Sequence, residues 1–226
     1  GREASATQVE AFLDTLPAAE VLPAVFHLNT DEQRSLLARI SAERAAHIVE
    51  ELPEGSAADL LEVMPVADVA PIVGEMASDD RVDVLGELSG ADAEAILEQL
   101  DVEDADEIRR LSSYESDTAG GLMMTEFAAF PMAASIRDVL SSLVDREAEY
   151  EFLTVHYVYV VVKRHKLKGV IRIRDMLFTD WDQMIGSIAL PAVTVSPEAS
   201  LEELEDFFEE HDFAAVPVVD ERDNLL

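Results

Sequence analysis

Asp79, Asp80 and Asp83 stand together at the start of one short helix in an apolar repeat. Positions 79 and 83 are i and i+4, so their carboxylates share a helix face. Carboxylate oxygens are the ligands that hard divalent cations take, and clustered acids of this kind could hold one. The plain alternative is N-terminal capping, where free N–H groups and the helix dipole favour negative charge. Capping accounts for one or two of the three, not for all.

Other chemistries find less support. None of the five histidines has a second His or Cys at ligand spacing, which argues against zinc; His47 sits beside an apolar pair and reads as structural. Cysteine is absent, so there is no disulfide, thiolate site or cysteine nucleophile, and a reducing compartment fits. No Ser-His-Asp order, phosphate loop or metallohydrolase spacing occurs, and acid pairs are too common to single out a general acid/base couple. An enzyme is not expected.

The elements that position the acids follow a twelve-residue rule. Leu16, Leu28, Ile40, Leu52, Met64, Met76, Leu88 and Leu100 fall in one register. Leu36, Ile48, Leu60, Ile72, Val84, Ile96 and Ile108 fall in a second; Leu37, Val49, Leu61, Val73, Leu85 and Leu97 in a third. Within a unit these positions make one apolar helix face. A turn former follows the last apolar position: Pro17, Asn29, Ser41, Pro53, Pro65, Ser89 or Asp101. Each unit is a helix of about eight residues, about 12 Å long, too short to stand alone. Stacking buries its face, so the units form a superhelix.

Tyr114 to Phe127, YESDTAGGLMMTEF, is the joint. Its Gly120-Gly121 pair is expected to break the preceding helix and to give a hinge near 116–121. Beyond it the pattern alternates. Phe127 to Phe130 reads as a strand, Ser135 to Val144 as a capped helix, and Tyr157 to Val162 and Val170 to Ile173 as strands, with a helix beginning at Asp175. The order then returns: a strand at Val193 to Val195, a helix from Leu201 opened by Ser200, a strand at Val216 to Val219 and a turn at Glu221 to Asn224. Tyr159-Val160-Val161-Val162 lies 58 residues before Pro217-Val218-Val219-Asp220. The second copy stops at Leu226, before its closing strand and helix, and is expected to be incomplete.

The chain of 226 residues carries a net charge of −32. Split after Thr125, one half holds 7 basic and 28 acidic residues and the other 9 and 20, giving −21 and −11. Neither half has a cationic face for a phosphate backbone, which argues against nucleic acid, and anionic membrane surfaces repel it. Such charge means a solvated surface or a cation partner. No run of about 18 apolar residues occurs, and no signal peptide opens the chain.

The helical repeat, the AGGLM joint and the tandem of β-α-β-β-α units ending in PVVDERDNL resemble, in this order, the cytosolic part of the MgtE family of magnesium transporters and channels. The likeness runs from about Leu16 onward. It implies an α plus α/β multidomain fold: a right-handed α-superhelix over 1–118, a first CBS (cystathionine-beta-synthase-type) unit over 119–182 and a truncated second one over 183–226. It implies a Mg²⁺-sensing regulatory region on the cytoplasmic side of the membrane, closing when Mg²⁺ neutralises facing acids, with a transmembrane pore as the missing partner and a homodimer through the CBS units. Phe127, Phe130 and Met132 would offer apolar surface for that dimer.

On this resemblance Asp79, Asp80, Asp83, Glu202 and Asp212 are candidate Mg²⁺ ligands. Mg²⁺ keeps several waters, so paired acids suit it better than a closed cage. For Glu202 and Asp212 the alternative is a solvated helix face, with Glu203, Glu205, Glu209 and Glu210 as company. Tyr157, Arg174, Asp175 and Phe213 would hold ATP or another adenine nucleotide: the aspartate on ribose, the arginine on phosphate, an aromatic on adenine. Core aromatics and a surface Arg–Asp pair are the alternative. Three positions depart from the family pattern: Met124 replaces Thr, Arg172 replaces the Ser or Thr of nucleotide sites, and Val162 replaces Asp. Two other functions compete: a nucleotide-sensing CBS module on another protein, and an acidic scaffold that docks a protein.

Overall fold

The computed structural model describes residues 6–145 and 155–226. The chain divides into two compact units, 1–112 and 113–226. Among the described residues no helix is long and apolar enough to cross a membrane.

The first unit is the expected stack. Its helices are α1 (Ala6–Leu13), α2 (Ala18–Phe26), α3 (Thr30–Leu37), α4 (Ala42–Glu50), α5 (Glu54–Glu62), α6 (Val66–Glu75), α7 (Ser78–Glu87), α8 (Gly90–Leu97) and α9 (Val102–Leu111). From α3 onward each helix packs against the one two places along: α3 on α5, α4 on α6, α5 on α7, α6 on α8 and α7 on α9. The twelve-residue registers supply the core. Ile48, Leu60, Ile72, Val84, Ile96 and Ile108 are buried, as are Val49, Leu61, Val73 and Leu85. Short helices that bury one face on neighbours gain from packing what their length denies them.

The turn formers become N-caps. Asn29 closes a full capping box with Glu32, and the Ser41 and Ser89 hydroxyls accept the N–H of Arg44 and Asp92. Pro17, Pro53, Pro65 and Asp101 hold the N-cap position without a side-chain bond. The helix α7 breaks the rule: its N-cap is Ala77, which has no polar side chain to offer.

The second unit holds two copies of one motif. In the first, β1 (Ala129–Pro131) leads to α11 (Ile136–Asp145), β2 (Tyr157–Val162), β3 (Lys166–Arg172) and α12 (Ile173–Leu177). The strand β1 pairs parallel with β2, and β2 antiparallel with β3. The second copy repeats those senses with single bridges: Val195 to Val218 parallel, Val219 to Leu225 antiparallel. Its helix is α13 (Leu201–Glu210), closed by a Ser200–Glu203 capping box. The two copies exchange backbone bonds at equivalent places. Leu167 N–H donates to the Asp223 carbonyl at 2.8 Å, and Leu225 N–H to the His165 carbonyl at 2.9 Å. Each donor and each acceptor lies 58 residues from its counterpart, so a local two-fold relates the turns.

Four details differ from the sequence expectations. Gly120 and Gly121 do not break a helix; they lie inside the short α10 (Ala119–Leu122). The stretch 116–121, expected as a hinge, lies inside the second unit, where Ala119 N–H donates to Ala199 and Gly120 N–H to Pro197, both at 2.8 Å, and Leu201 N–H to Asp117 at 3.1 Å. Phe130 is buried in the core with Ile136, Val139 and Val158, and Phe127 packs against Tyr159, so of the three residues expected to face a partner only Met132 is exposed. His47 is exposed rather than packed.

The departure at Val162 has a local consequence. In the second copy Asp220 accepts the N–H groups of Arg222 and Asn224 and the Asn224 amide, all at 2.8 Å. The Asn224 bonds hold its carboxyl below the usual range. Val162 can accept none of these, and the first copy turns instead through a 3-10 segment, Lys163–His165, with Lys163 at φ 45.

Candidate cation cluster and nucleotide edge

The acidic cluster gathers where α4 ends and α7 begins. Met76, Ala77 and Ser78, the joint between α6 and α7, are 1%, 8% and 1% exposed. Buried backbone groups need partners, and two long side chains provide them. Glu50, the last residue of α4, accepts the Ala77 N–H at 2.8 Å, the bond that the N3 residue makes in a capping box, and so gives the buried N-cap donor a partner. Arg81 donates its Nε to the Met76 carbonyl and its NH2 group to the Gly74 carbonyl at 2.8 Å, and its NH1 group lies 3.8 Å from Asp104 of α9.

Asp79, Asp80 and Asp83 follow this locked joint. Asp79 and Asp80 are half-buried, with Asp79 Oδ1 shielded from water, and Asp83 is exposed. Burial pushes the Asp80 carboxyl up to about 6, and the negative charges of Asp79, Glu50, Asp83 and Glu51 push the same way. Glu50 is also raised, chiefly by burial, while the Ala77 N–H, His47 and Arg81 hold it back. Five carboxylates therefore feel one another here. Two of them, Glu50 and Glu51, escape sequence reasoning because they belong to another repeat unit; the only signal was the missing turn former at position 77.

Among the described residues no three His, Cys, Asp or Glu side chains are placed to hold a metal ion together. The donor set is all oxygen, partly dry and self-repelling. Oxygen donors of this kind are those that hard cations take, and Mg²⁺ in particular keeps several of its waters. Glu202 and Asp212 lie in the second unit, exposed in the first turn of α13 and just past its end.

Of the nucleotide candidates, Tyr157 and Asp175 are linked through Arg172, Phe213 adjoins Ala214, which bonds Tyr157, and Arg174 is exposed on α12. Strand register sets Tyr157 opposite Arg172. The Arg172 Nε bonds Asp175 Oδ2 at 2.8 Å, so the aspartate pairs with Arg172 and not with Arg174, which is exposed. Ala214 N–H donates to the Tyr157 hydroxyl at 3.3 Å, bringing the chain beside Phe213 to Tyr157. Phe213 stacks on His211, with centroids 5.2 Å apart, and His211 stacks on Phe207 at 4.6 Å. A separate cavity of about 410 Å³ touches Tyr157 and is lined by apolar side chains such as Met123, Phe127, Leu204 and Phe208. Arg174, Asp175 and Phe213 lie outside it.

Comparison with known proteins gives a consistent picture. Residues 16–117 match the MgtE intracellular N domain, and 119–181 and 185–226 match the CBS domain. The magnesium transporters MgtE of Thermus thermophilus and Enterococcus faecalis are each 36% identical over 121 residues, 53% of this chain and 26% of theirs. The match thus spans about a quarter of the length of these curated relatives. Among solved structures, the soluble part of a magnesium transporter superposes with a TM-score of 0.84 at 30% identity, over 95% of this chain and 84% of that one. The cytosolic domain of the Mg²⁺ channel MgtE in complex with ATP gives 0.82 at 28%, over 95% and 88%.

Proposed function

The chain belongs to the MgtE family, and from that premise we propose that it is the Mg²⁺-sensing regulatory region of a membrane magnesium transporter. The observation that carries this reading is the carboxylate cluster at the start of α7, where burial and four neighbouring acids push Asp80 up to about 6. Carboxyls that burial and neighbouring charge hold back from ionising, as at Asp80 and Glu50, gain when a divalent cation arrives. Asp79, Asp80 and Asp83 are the candidate ligands on the first unit, with Glu50 beside them, and Glu202 and Asp212 are the candidate ligands on the second. Mg²⁺ would keep part of its water shell.

The response is a population shift. At low Mg²⁺ the charges of −21 and −11 on the two halves favour an extended state. An ion that binds a compact state more tightly must shift the balance toward it. In the full-length protein, on the cytoplasmic side, compaction would act on the pore and reduce transport. The role is regulatory, with no catalytic step, and the CBS units would pair two copies.

The test is small-angle scattering of the whole chain with and without millimolar Mg²⁺ at constant ionic strength. Mg²⁺ should reduce the radius of gyration and NaCl should not; Asp79→Asn with Asp83→Asn should lessen the change. Equal compaction by NaCl would leave only general screening.

A second reading concerns adenine nucleotides. It is favoured by the Ala214 N–H bond to the Tyr157 hydroxyl, which brings the chain beside Phe213 to Tyr157, and by the ATP complex of a relative; the exposed Arg172–Asp175 pair competes with it. Nucleotide would bind there as a modulator.

A further inference from the structure

Arg81 sits in the middle of the acidic run Asp79-Asp80-Arg81-Val82-Asp83, yet its guanidinium is committed elsewhere. It bonds the carbonyls of Gly74 and Met76 and lies against Asp104. Its side chain is 12% exposed. The three groups belong to the end of α6, the joint after it and α9, so one planar fork ties α7 to both elements. Glu50 completes the lock by taking the Ala77 N–H.

We infer that Arg81 is a positioning residue for the cation cluster. It fixes the first turn of α7 against the end of α6 and so sets where Asp79, Asp80 and Asp83 stand relative to Glu50. This rests on the cation reading above and assigns a role to a residue that would not touch the ion.

Charge and geometry make opposite demands on this residue. As a positive charge near the cluster Arg81 repels a cation, and it lowers the Glu50 carboxyl through space. On charge alone, removing it tightens cation binding. As a clamp, removing it lets mutually repelling carboxylates drift apart, and binding weakens. Loss of an outer group bonded directly to a metal ligand costs about ten-fold or more in affinity; Arg81 acts through the backbone that carries Asp79, Asp80 and Asp83, and a loss of about ten-fold is expected from it. Solvent screens a single charge beside half-exposed carboxylates, so geometry wins.

The experiment is the melting temperature of the whole chain against Mg²⁺ at constant ionic strength, for the wild type, Arg81→Met, Arg81→Gln and Arg109→Met. Arg109 bonds Glu94 and is the charge control. The melting temperature without Mg²⁺ reports fold stability; the Mg²⁺ concentration that raises it by a fixed increment, taken as the midpoint here, scales with the dissociation constant and reports the cluster. Arg81→Met should raise the midpoint about ten-fold, and Arg109→Met should leave it unchanged. Arg81→Gln keeps a donor for one carbonyl and should shift the midpoint the same way, which preserves the test if the Met variant does not fold. A midpoint at or below the wild-type value, in a variant with wild-type helical signal, overturns the role of Arg81 alone. A flat wild-type titration overturns the cation reading and this inference with it.

Discussion

The Glu50 carboxylate accepts the Ala77 backbone N–H at 2.8 Å, and through that bond one repeat unit holds the N-cap residue of another unit's helix. Ala77 is 8% exposed, so loss of the acceptor leaves a shielded donor. Glu50→Ala should destabilise the first unit by about 1–2 kcal/mol. Glu50→Gln keeps an acceptor oxygen and removes one charge facing Asp79 and Asp80, so it should cost less than half as much. Urea unfolding followed by helical circular dichroism separates the two. Equal losses would mean that the charge of Glu50, and not its bond to Ala77, holds the joint.

Asp80 should make stability depend on pH in an unusual direction. Its folded pKa of about 6 lies above its ordinary value of 3.8. The folded state therefore binds the proton more tightly than the unfolded one, and protonation favours folding. This group's contribution is fully favourable below about pH 4 and is lost as pH rises through 6. A rise of this size would amount to roughly 3 kcal/mol at a fully buried site; solvent reaches this half-exposed carboxylate, and roughly 1 kcal/mol is expected. Asp80→Asn should stabilise the protein by that amount at pH 7.5 and by little at pH 4. A stabilisation of the same size at both pH values would point to side-chain packing instead of charge.

Glycine substitutions should act in opposite senses according to the space around them. A Cβ on Gly121 would lie 2.3 Å from the Glu115 carbonyl oxygen and 2.8 Å from the Ser116 Cα. Both are backbone atoms and cannot swing aside, so Gly121→Ala should cost about 1–3 kcal/mol. Gly86, inside α7, has nothing within 4 Å of its Cβ position. There Gly→Ala should stabilise by about 0.5–1 kcal/mol, because alanine loses less backbone entropy in a helix. Thermal melts of both variants decide this, and a neutral Gly121→Ala would mean that the turn at 115–118 can yield.

These contrasts show what the sequence could express. The core of the helical stack is written in it because a period of twelve needs one apolar residue at each of three registers; Val49, Leu61, Val73 and Leu85 are buried as that rule requires. The tandem is legible for a similar reason: an offset of 58 residues carries the turn of one copy onto the other, where Leu167 and Leu225 make matching bonds. The conformation of Gly120 and Gly121 was not legible. Glycine marks both chain reversal and close approach, and here it serves approach, with Tyr114 and Pro197 packed against Gly120. The full acidic cluster was hidden too. Asp79, Asp80 and Asp83 share one helix, but Glu50 and Glu51 join them from three helices earlier, and only folding sets them side by side.

Arg172 supplies the last prediction. Its Nε lies 2.8 Å from Asp175 Oδ2, in a pair whose side chains are 60% and 43% exposed. An exposed ion pair contributes about 0–1 kcal/mol, enough to compete with a weak ligand for the aspartate. If Asp175 binds ribose hydroxyls, adenosine must displace the guanidinium and receives nothing in return. ATP displaces it as well but offers phosphate oxygens that the guanidinium can take up in place of the carboxylate. Arg172→Ser should therefore raise adenosine affinity up to about five-fold, the equivalent of 1 kcal/mol, and should weaken ATP or leave it unchanged. Asp175→Asn should weaken both. Equilibrium titration of each variant with adenosine and with ATP, at fixed Mg²⁺ and ionic strength, gives the two ratios. If Arg172→Ser changes both ligands by the same factor, the arginine does not discriminate between them; if Asp175→Asn binds both as the wild type does, the edge formed by Tyr157, Arg172 and Asp175 is not the nucleotide site.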